Sequence, residues 1–144
     1  MSAPPTAGGI GVVGVHHVAV IASDYNRSRH FYTQVLGLAV LNEHYREERQ
    51  SWKLDLAVPG GTQLELFSFP QTPPRITLPE ACGLRHWALR VASLDGTLRW
   101  LQAHAVEAEP VRVDPFTGAR FTFIRDPDDL PIELVESVPA DPLP

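Results

Sequence analysis

The sequence predicts an α+β fold of two paired βαβββ modules, which form a concave sheet around a metal site and carry their helices outside. Two observations indicate this class. The segment HHVAVIASDYNRSRHFY, which starts at His16, has a counterpart in RHWALRVASLDGTLRWL, which starts at Arg85. The segment TQLELFS at 62–68 likewise corresponds to LPIELVE at 130–136. A repeat of this length indicates two copies of one structural unit that pack together.

The first module begins with an apolar run, Val15–Ala22, that has the composition of a β-strand. Ser23 or Asp24 can cap the following helix, in which apolar side chains recur every three or four residues as far as Leu36. Gly37 ends this helix, because glycine adopts a positive φ at little cost. Three strands are then predicted, at about 38–45, 52–58 and 62–69, with a turn at 59–61.

The second module repeats this order. A strand at 83–91 leads to a cap at Ser93 and to a helix that ends at about His104. The remaining strands of this module are predicted near 106–113, 119–124 and 131–136.

These elements divide the chain into one domain at 15–136 and two tails. The first module covers about 15–69 and the second about 83–136, and the segment 70–82 between them is a proline-rich linker. Residues 1–14 form a flexible, Gly/Pro-rich N-terminal tail, and residues 137–144 form a C-terminal tail. A length of 144 residues suits one domain with a real core and is too short for two independent domains.

Composition excludes several classes of function. The formal net charge is −5 and no run of basic residues occurs, so a nucleic-acid partner is not expected. Neither a signal peptide nor a membrane-spanning apolar stretch is recognisable, which predicts a cytoplasmic protein with no membrane partner. Cys82 is the single cysteine, and this excludes an internal disulfide framework and a multi-cysteine zinc cluster.

The repeat also duplicates one histidine and one glutamate. His17 aligns with His86, and Glu65 aligns with Glu133, at separations of 48 and 47 residues. Side chains alternate between the two faces of a strand, so leucines at 64 and 66 on the helix side place Glu65 on the opposite face. The same argument places Glu133 and both aligned histidines on the inner face, and it places His16 on the helix side.

Two imidazoles and two carboxylates that converge at a pseudo-twofold axis are suitable ligands for one divalent cation. Zn²⁺, Ni²⁺, Co²⁺, Mn²⁺ and Fe²⁺ all accept such ligands, with water in the remaining positions. The alternative is a pair of polar strand residues that was duplicated with the rest of the module and binds no metal.

The sequence resembles the vicinal oxygen chelate superfamily, which includes glyoxalase I, methylmalonyl-CoA epimerase, fosfomycin-resistance enzymes, bleomycin-binding proteins and extradiol dioxygenases. The motifs that support this resemblance are HHVAVIASDYNRSRHFYTQVLGL, LELFSFP, GLRHWALRV and FIRDPDDLPIELVE, which span residues 15–136. The resemblance implies one divalent metal ion, bound by His17, Glu65, His86 and Glu133. It also implies a homodimer, in which the ligands come from one chain or from two.

The resemblance further implies proton transfer next to a metal-chelated carbonyl of a small substrate, with Glu133 as the principal base and Glu65 as a second catalytic residue. Glutathione is not the expected cosubstrate, because Ile21 and Phe69 replace the Arg and Asn that hold glutathione in glyoxalase I. An acyl-CoA epimerase and a metal-dependent dioxygenase remain alternative enzymes. A protein that binds and sequesters a small molecule is the alternative without catalysis.

Five further residues are candidates for substrate binding. Arg90 and Arg120 lie on predicted strands, where a guanidinium can bind an anionic group through two hydrogen bonds. Tyr45, Arg46 and Arg49 lie in the segment YREERQSWK, which can cover a substrate from a strand end and its turn.

Overall fold

A computed structural model describes residues 8–137, so half of the N-terminal tail and nearly all of the C-terminal tail lie outside the described residues. The first module contains β1 (His17–Ala22), α1 (Tyr25–His30), β2 (Ala39–Arg46), β3 (Ser51–Ala57) and β4 (Gln63–Ser68). The second contains β5 (Trp87–Val91), α2 (Leu94–Ala103), β6 (Arg112–Val113), β7 (Arg120–Arg125) and β8 (Pro131–Glu136). The α+β class and the two βαβββ modules are confirmed.

The two modules have the same strand topology. The first sheet has the order β1-β4-β3-β2 and the second has the order β5-β8-β7-β6. In each sheet the first strand of the module pairs in parallel with the last strand, and the other neighbours are antiparallel. Within one chain the modules therefore form two separate four-stranded sheets that are built on the same plan.

Both helices begin and end as the local sequence predicts. The carboxylate of Asp24 accepts a hydrogen bond from the Arg27 N–H at 3.1 Å, and the Ser93 hydroxyl accepts one from the Gly96 N–H at 3.1 Å. The helical path of α1 continues as a π-helical turn at Phe31–Val35. Gly37 then reverses the chain with a φ of +76°.

Two predicted strands of the second module are shorter than expected. The run expected at 106–113 pairs only at Arg112–Val113, because Pro110 has no N–H to donate to a ladder. Glu109 instead joins the sheet locally: its N–H donates to the Phe123 carbonyl at 3.0 Å. The first strand of this module begins at Trp87, so the predicted residues 83–86 lie before it.

One hydrophobic core serves both modules. Leucines 64 and 66 of β4 lie in the same buried cluster as Ile132 and Leu134 of β8, together with Leu94 and Leu101 of α2. Each sheet therefore turns its apolar face and its helix toward the shared core, and its other face away from it.

No helix within residues 8–137 is long and apolar enough to span a membrane.

A buried hydrogen bond joins the modules within this core. The Tyr32 hydroxyl donates to Oδ2 of Asp126 at 2.7 Å, and both residues are buried. Oδ1 of Asp126 accepts from the backbone N–H groups of Asp128 and Leu130 at 2.8 and 2.9 Å. Burial raises the pKa of Asp126, although the hydrogen bond from Tyr32 acts in the opposite direction. Burial also raises the pKa of the Tyr32 hydroxyl, which therefore remains a donor.

The substitution Tyr32→Phe removes this donor and leaves the carboxylate with its backbone partners alone. We expect the free energy of unfolding at pH 7 to fall by about 1–3 kcal/mol, because a buried charged acceptor loses one hydrogen bond. The tyrosine hydrogen bond favours the charged form of Asp126. The loss is therefore full above the pKa of Asp126 and shrinks as the pH falls through it.

Urea unfolding at pH 7 and at pH 4 measures this difference. Tyr25→Phe is the matched control, because the Tyr25 hydroxyl contacts Glu43 within the first module and is less buried. An equal loss for Tyr32→Phe at both pH values would contradict the assigned role of Asp126.

Candidate metal centre

The first histidine–glutamate pair lies on the face of the first sheet that points away from the core. β1 and β4 are in parallel register, with Ala19 beside Glu65, so His17 and Glu65 share this face. Nδ1 of His17 lies 3.4 Å from Oε2 of Glu65. The Glu65 side chain is only 12% exposed, whereas that of His17 is 40% exposed. The carboxylate is thus partly sheltered, with the imidazole at its open side.

The second pair repeats this arrangement on the other sheet. His86 directly precedes β5, and Glu133 lies in β8 beside Ala88. Nε2 of His86 lies 3.1 Å from Oε1 of Glu133, and the two side chains are 24% and 22% exposed. Nδ1 of His86 lies 2.9 Å from Nη1 of Arg85 and accepts from it, because a guanidinium has no acceptor atom.

His16 lies in a different place from the one predicted. The expectation that it faces the helix side is wrong, because β1 begins at His17 and strand alternation does not extend to His16. Its exposed ring stands edge-on to the His17 ring, and the two Nδ1 atoms are 2.8 Å apart. Within residues 8–137, His16, His17 and Glu65 form the single group of three metal-capable side chains with ligand atoms within 4.8 Å of one another.

Both pairs fit a divalent metal ion by donor type and spacing. Ligand atoms at about 2.1 Å from one ion lie roughly 3.0–3.4 Å apart in octahedral or tetrahedral geometry. The distances of 3.4 and 3.1 Å within the two pairs agree with this range. Within one chain, however, the pairs do not meet, because Glu65 and Glu133 lie on faces that turn away from the shared core.

Positive charge and aromatic rings surround Glu65. Nζ of Lys53 lies 3.8 Å from Oε1 of Glu65 and 2.6 Å from Oδ1 of Asp55. The Arg46 guanidinium lies 5.1 Å from the centre of the Phe67 ring. Phe67 shares the face of Glu65, because it lies two residues further along β4. A small anionic ligand on this face would meet cations that already rest on aromatic surfaces.

The candidate substrate residues are distributed over both faces. The Arg49 guanidinium lies 5.0 Å from the Phe69 ring, beside the Arg46–Phe67 contact. Arg90 lies next to Val135 in the register and so shares the face of Glu133. Tyr45 pairs with Trp52, whose ring stacks on that of Tyr25 from α1. Tyr45 is therefore on the helix side, away from Glu65.

Arg120 also lies on the helix side. Arg120 lies two and four residues before the buried residues Thr122 and Ile124, so it shares their face of β7. It forms ion pairs with Asp95 at 2.9 Å and Glu136 at 3.4 Å. The Arg120 hydrogen bond lowers the pKa of Asp95. These contacts make Arg120 a link between β7 and α2.

The comparison with protein families agrees with this architecture. The model of the glyoxalase/bleomycin resistance protein/dioxygenase superfamily matches residues 14–134. The chain belongs to this superfamily. Its members include enzymes and small-molecule-binding resistance proteins, and many of them bind a divalent metal ion.

Relatives with high sequence identity span nearly the same length. The chain is 55% identical over 122 residues to the uncharacterized protein YwkD of Bacillus subtilis (strain 168), covering 85% of this chain and 95% of that one. It is 52% identical over 127 residues to the uncharacterized protein YaeR of Escherichia coli (strain K12), covering 88% and 98%. A more distant relative, at 29% identity over 151 residues, is the 2-epi-5-epi-valiolone epimerase of an Actinomyces species, covering 90% and 82%.

A solved structure supports the fold of this superfamily member. The glyoxalase family protein from Enterococcus faecalis superposes with a TM-score of 0.79 at 45% sequence identity. The match covers 86% of this chain and 98% of that protein.

Sequence reasoning missed an aromatic wall beside Glu133. The Phe123 ring stands edge-on to His86 with ring centres 5.0 Å apart, and Phe123 is opposite Glu133 in the register. The Arg112 guanidinium lies 5.5 Å from the Phe121 ring and 5.8 Å from the Phe123 ring. The alternation in RFTFI places both phenylalanines on one face, but only the pairing of β7 with β8 shows that this is the face of Glu133.

Proposed function

We propose that this chain is a divalent-metal-dependent enzyme of glyoxalase I type. In the proposed reaction, a proton is removed from the carbon next to a chelated carbonyl and is then returned to the substrate. The observation that carries the proposal is the duplicated His–Glu pair. His17 with Glu65 and His86 with Glu133 occupy equivalent positions in two sheets of identical topology, at distances that suit one ion's ligands.

Each residue of the site has a distinct role in this reaction. His17, His86 and the two glutamates would hold the ion, which when bound supplies Lewis-acid polarisation of the substrate carbonyl. Glu133 accepts the proton from the neighbouring carbon and returns it. Glu65, whose Oε1 atom lies 3.8 Å from Nζ of Lys53, is the second catalytic residue. The Phe123 ring beside His86 excludes water from the reacting carbon.

Glutathione is not the cosubstrate in this proposal. Ile21 lies on the open face of β1 and is 54% exposed, so it offers an apolar surface where a peptide carboxylate would need a cation. Phe69 stacks in parallel on Phe67 at 6.3 Å and offers no hydrogen-bonding group. The substrate is therefore a small molecule that has no need of a bound tripeptide.

The complete site is formed by two copies of the chain. The two pairs face away from one core, so a single chain cannot bring all four ligands to one ion. In a twofold dimer, His17 and Glu65 of one protomer meet His86 and Glu133 of its partner, and two equivalent sites result.

A second candidate reaction is epimerisation, which is favoured by the similarity to the 2-epi-5-epi-valiolone epimerase of an Actinomyces species. Epimerisation uses the same proton removal at a carbon next to a carbonyl, with return of the proton to the opposite side. In this case Glu65 and Glu133 act on the two sides of that carbon. The product's stereochemistry separates the two reactions.

Metal titration tests the ligand set. We expect the protein to bind one Zn²⁺ per chain in calorimetry, and we expect His86→Ala and Glu133→Gln to weaken binding by about 100-fold or more. His16→Ala should leave the affinity within about threefold of wild type, because His16 is outside the proposed set. Glu48→Gln, at an exposed position, is the charge control. The opposite ranking, with His16→Ala harmful and His86→Ala harmless, would assign the metal to the His16–His17–Glu65 group instead.

Mixing two variants tests whether the site is shared between chains. Glu65→Gln and Glu133→Gln homodimers each carry a defect in both sites, whereas a mixed dimer carries both defects in one site and has one intact site. Mixing equal amounts after dissociation should restore about a quarter of the wild-type high-affinity metal sites. No recovery, despite mixed dimers verified by mass spectrometry, would show that each site belongs to one chain.

Deuterium exchange tests the reaction itself. We expect the Zn²⁺-loaded protein in D₂O to exchange the proton next to the carbonyl in at least one compound from a panel of small hydroxycarbonyls, dicarbonyls and acyl-thioesters, followed by NMR. Glu133→Gln should lower the exchange rate per bound metal by about 10²–10⁴-fold, which is the usual contribution of a general base. An unchanged rate would remove Glu133 from the catalytic role. Saturable binding of a compound with no exchange would favour a sequestering protein.

A further inference from the structure

A small cavity lies next to the His86–Glu133 pair, beneath the linker segment 75–81. Its volume is about 210 Å³. Phe123, which stands against His86, forms one wall, and Pro131, two residues before Glu133 on the same face of β8, forms another. Arg85 lines the cavity and also contacts the His86 ring. The cavity is therefore adjacent to the proposed reaction site, with Phe123 and Arg85 shared between the cavity lining and the surroundings of His86.

Four arginines line this cavity, against two carboxylates. The cations are Arg75, Arg85, Arg112 and Arg125, and the acids are Glu80 and Glu109. Arg85 pairs with Glu80 at 2.7 Å, Arg112 with Glu109 at 2.6 Å and Arg125 with Asp129 at 2.8 Å, so Arg75 is the one cation of the lining without a carboxylate partner among residues 8–137. Cations gathered on a concave surface raise the local electrostatic potential, so this cavity favours an anion although the chain as a whole has a net charge of −5.

Two of these arginines are held in place by hydrogen bonds and ring contacts that leave some of their N–H donors unused. Arg75 donates through Nε to Thr77 and through Nη2 to the carbonyls of Leu84 and Arg85, at 3.2, 2.6 and 3.1 Å. Its Nη1 has no hydrogen-bond partner among residues 8–137. Arg112 rests on the Phe121 and Phe123 rings and uses one nitrogen, Nη2, for Glu109 at 2.6 Å. A guanidinium has five N–H donors, so both groups can bind an oxyanion without losing these contacts.

We propose that this cavity is an anion subsite, which binds a carboxylate or phosphate group carried by the substrate whose carbonyl lies at the metal. This inference rests on the proposed function, because it names the substrate class of the same site. The volume suits a compact group, because drug-sized ligands occupy cavities of about 300–1,000 Å³. The substrate is a small phosphorylated or carboxylated hydroxycarbonyl compound.

Anion titration of the metal-free protein tests the subsite independently of the reaction. Inorganic phosphate and acetate are added in separate arms at constant ionic strength set with chloride, and backbone amide shifts of residues 75–85 are followed by NMR. We expect saturable shifts with one of the two anions, and the stronger binder identifies the group on the substrate. Arg75→Met and Arg112→Met should each weaken that affinity about tenfold or more.

Two further variants make the test specific. Glu109→Gln releases Arg112 from its ion pair and should strengthen anion binding about two- to fivefold. Arg99→Gln, an equal loss of charge on the exposed face of α2, should leave it unchanged. Circular dichroism verifies that every variant is folded. Equal weakening by Arg99→Gln and Arg112→Met, or no saturable shift with either anion, would overturn the subsite.

The outcome also separates this inference from the proposed function. Glu65→Gln should lose high-affinity metal binding and keep its anion affinity, since Glu65 does not line the cavity. If the wild-type protein binds phosphate or acetate in the cavity but binds no metal, the proposed reaction is wrong and the subsite stands. If it binds metal and exchanges protons but binds neither anion, the reaction stands and the subsite is wrong.

Discussion

The burial of aliphatic side chains on both sides of each glutamate is the constraint on which the site depends. Leucines 64 and 66 flank Glu65, and Ile132 and Leu134 flank Glu133, and all four are buried in the shared core. Because successive strand residues point to opposite faces, this burial forces each carboxylate onto the open face of its sheet. Turning a strand over would place an unpaired carboxylate in the core, at a cost of several kcal/mol.

Much of this architecture follows from the sequence because the constraint is local and duplicated. Strand alternation, helix caps at Asp24 and Ser93 and the reversal at Gly37 depend on a few neighbouring residues. The repeat then carries each assignment from one module to the other. Alternation places His17 and Glu65 on one open face and His86 and Glu133 on the other, and the structure brings the two residues of each face within 3.4 Å or less.

The features that sequence reasoning missed depend on contacts between segments that are distant in the chain. His16 was assigned by alternation, which does not apply before the strand begins. Arg120 and Tyr45 were candidate substrate residues, but the registers of β7 and β2 turn both toward the helices. The position of Phe123 and Arg112 on the face of Glu133 depends on the pairing of β7 with β8 and of β6 with β7. The arginine cavity also requires the linker to lie across the second sheet, which no local pattern indicates.

The two open faces differ in charge, and this difference bears on the separate roles proposed for Glu65 and Glu133. Glu65 lies near the Lys53 ammonium group and is the less exposed carboxylate. Glu133 lies between His86 and the aromatic wall, with the arginine cavity at its side. In the proposed reaction, a substrate whose anionic group binds in that cavity would place its carbonyl region near Glu133. The asymmetry of the flanking residues would therefore give direction to a proposed site whose four ligands are nearly symmetric.

The link between the modules accounts for the incompleteness of the single chain. Tyr32 and Asp126 join the first helix to the turn before β8, inside the common core. As long as this contact holds, the two open faces cannot turn toward each other without exposing the buried leucines of both sheets. The same packing that stabilises one chain thus keeps its two ligand pairs apart. In the proposed dimer, association with a second copy would bring the two pairs together without disturbing the core, so assembly of the dimer and assembly of the metal site would be one event.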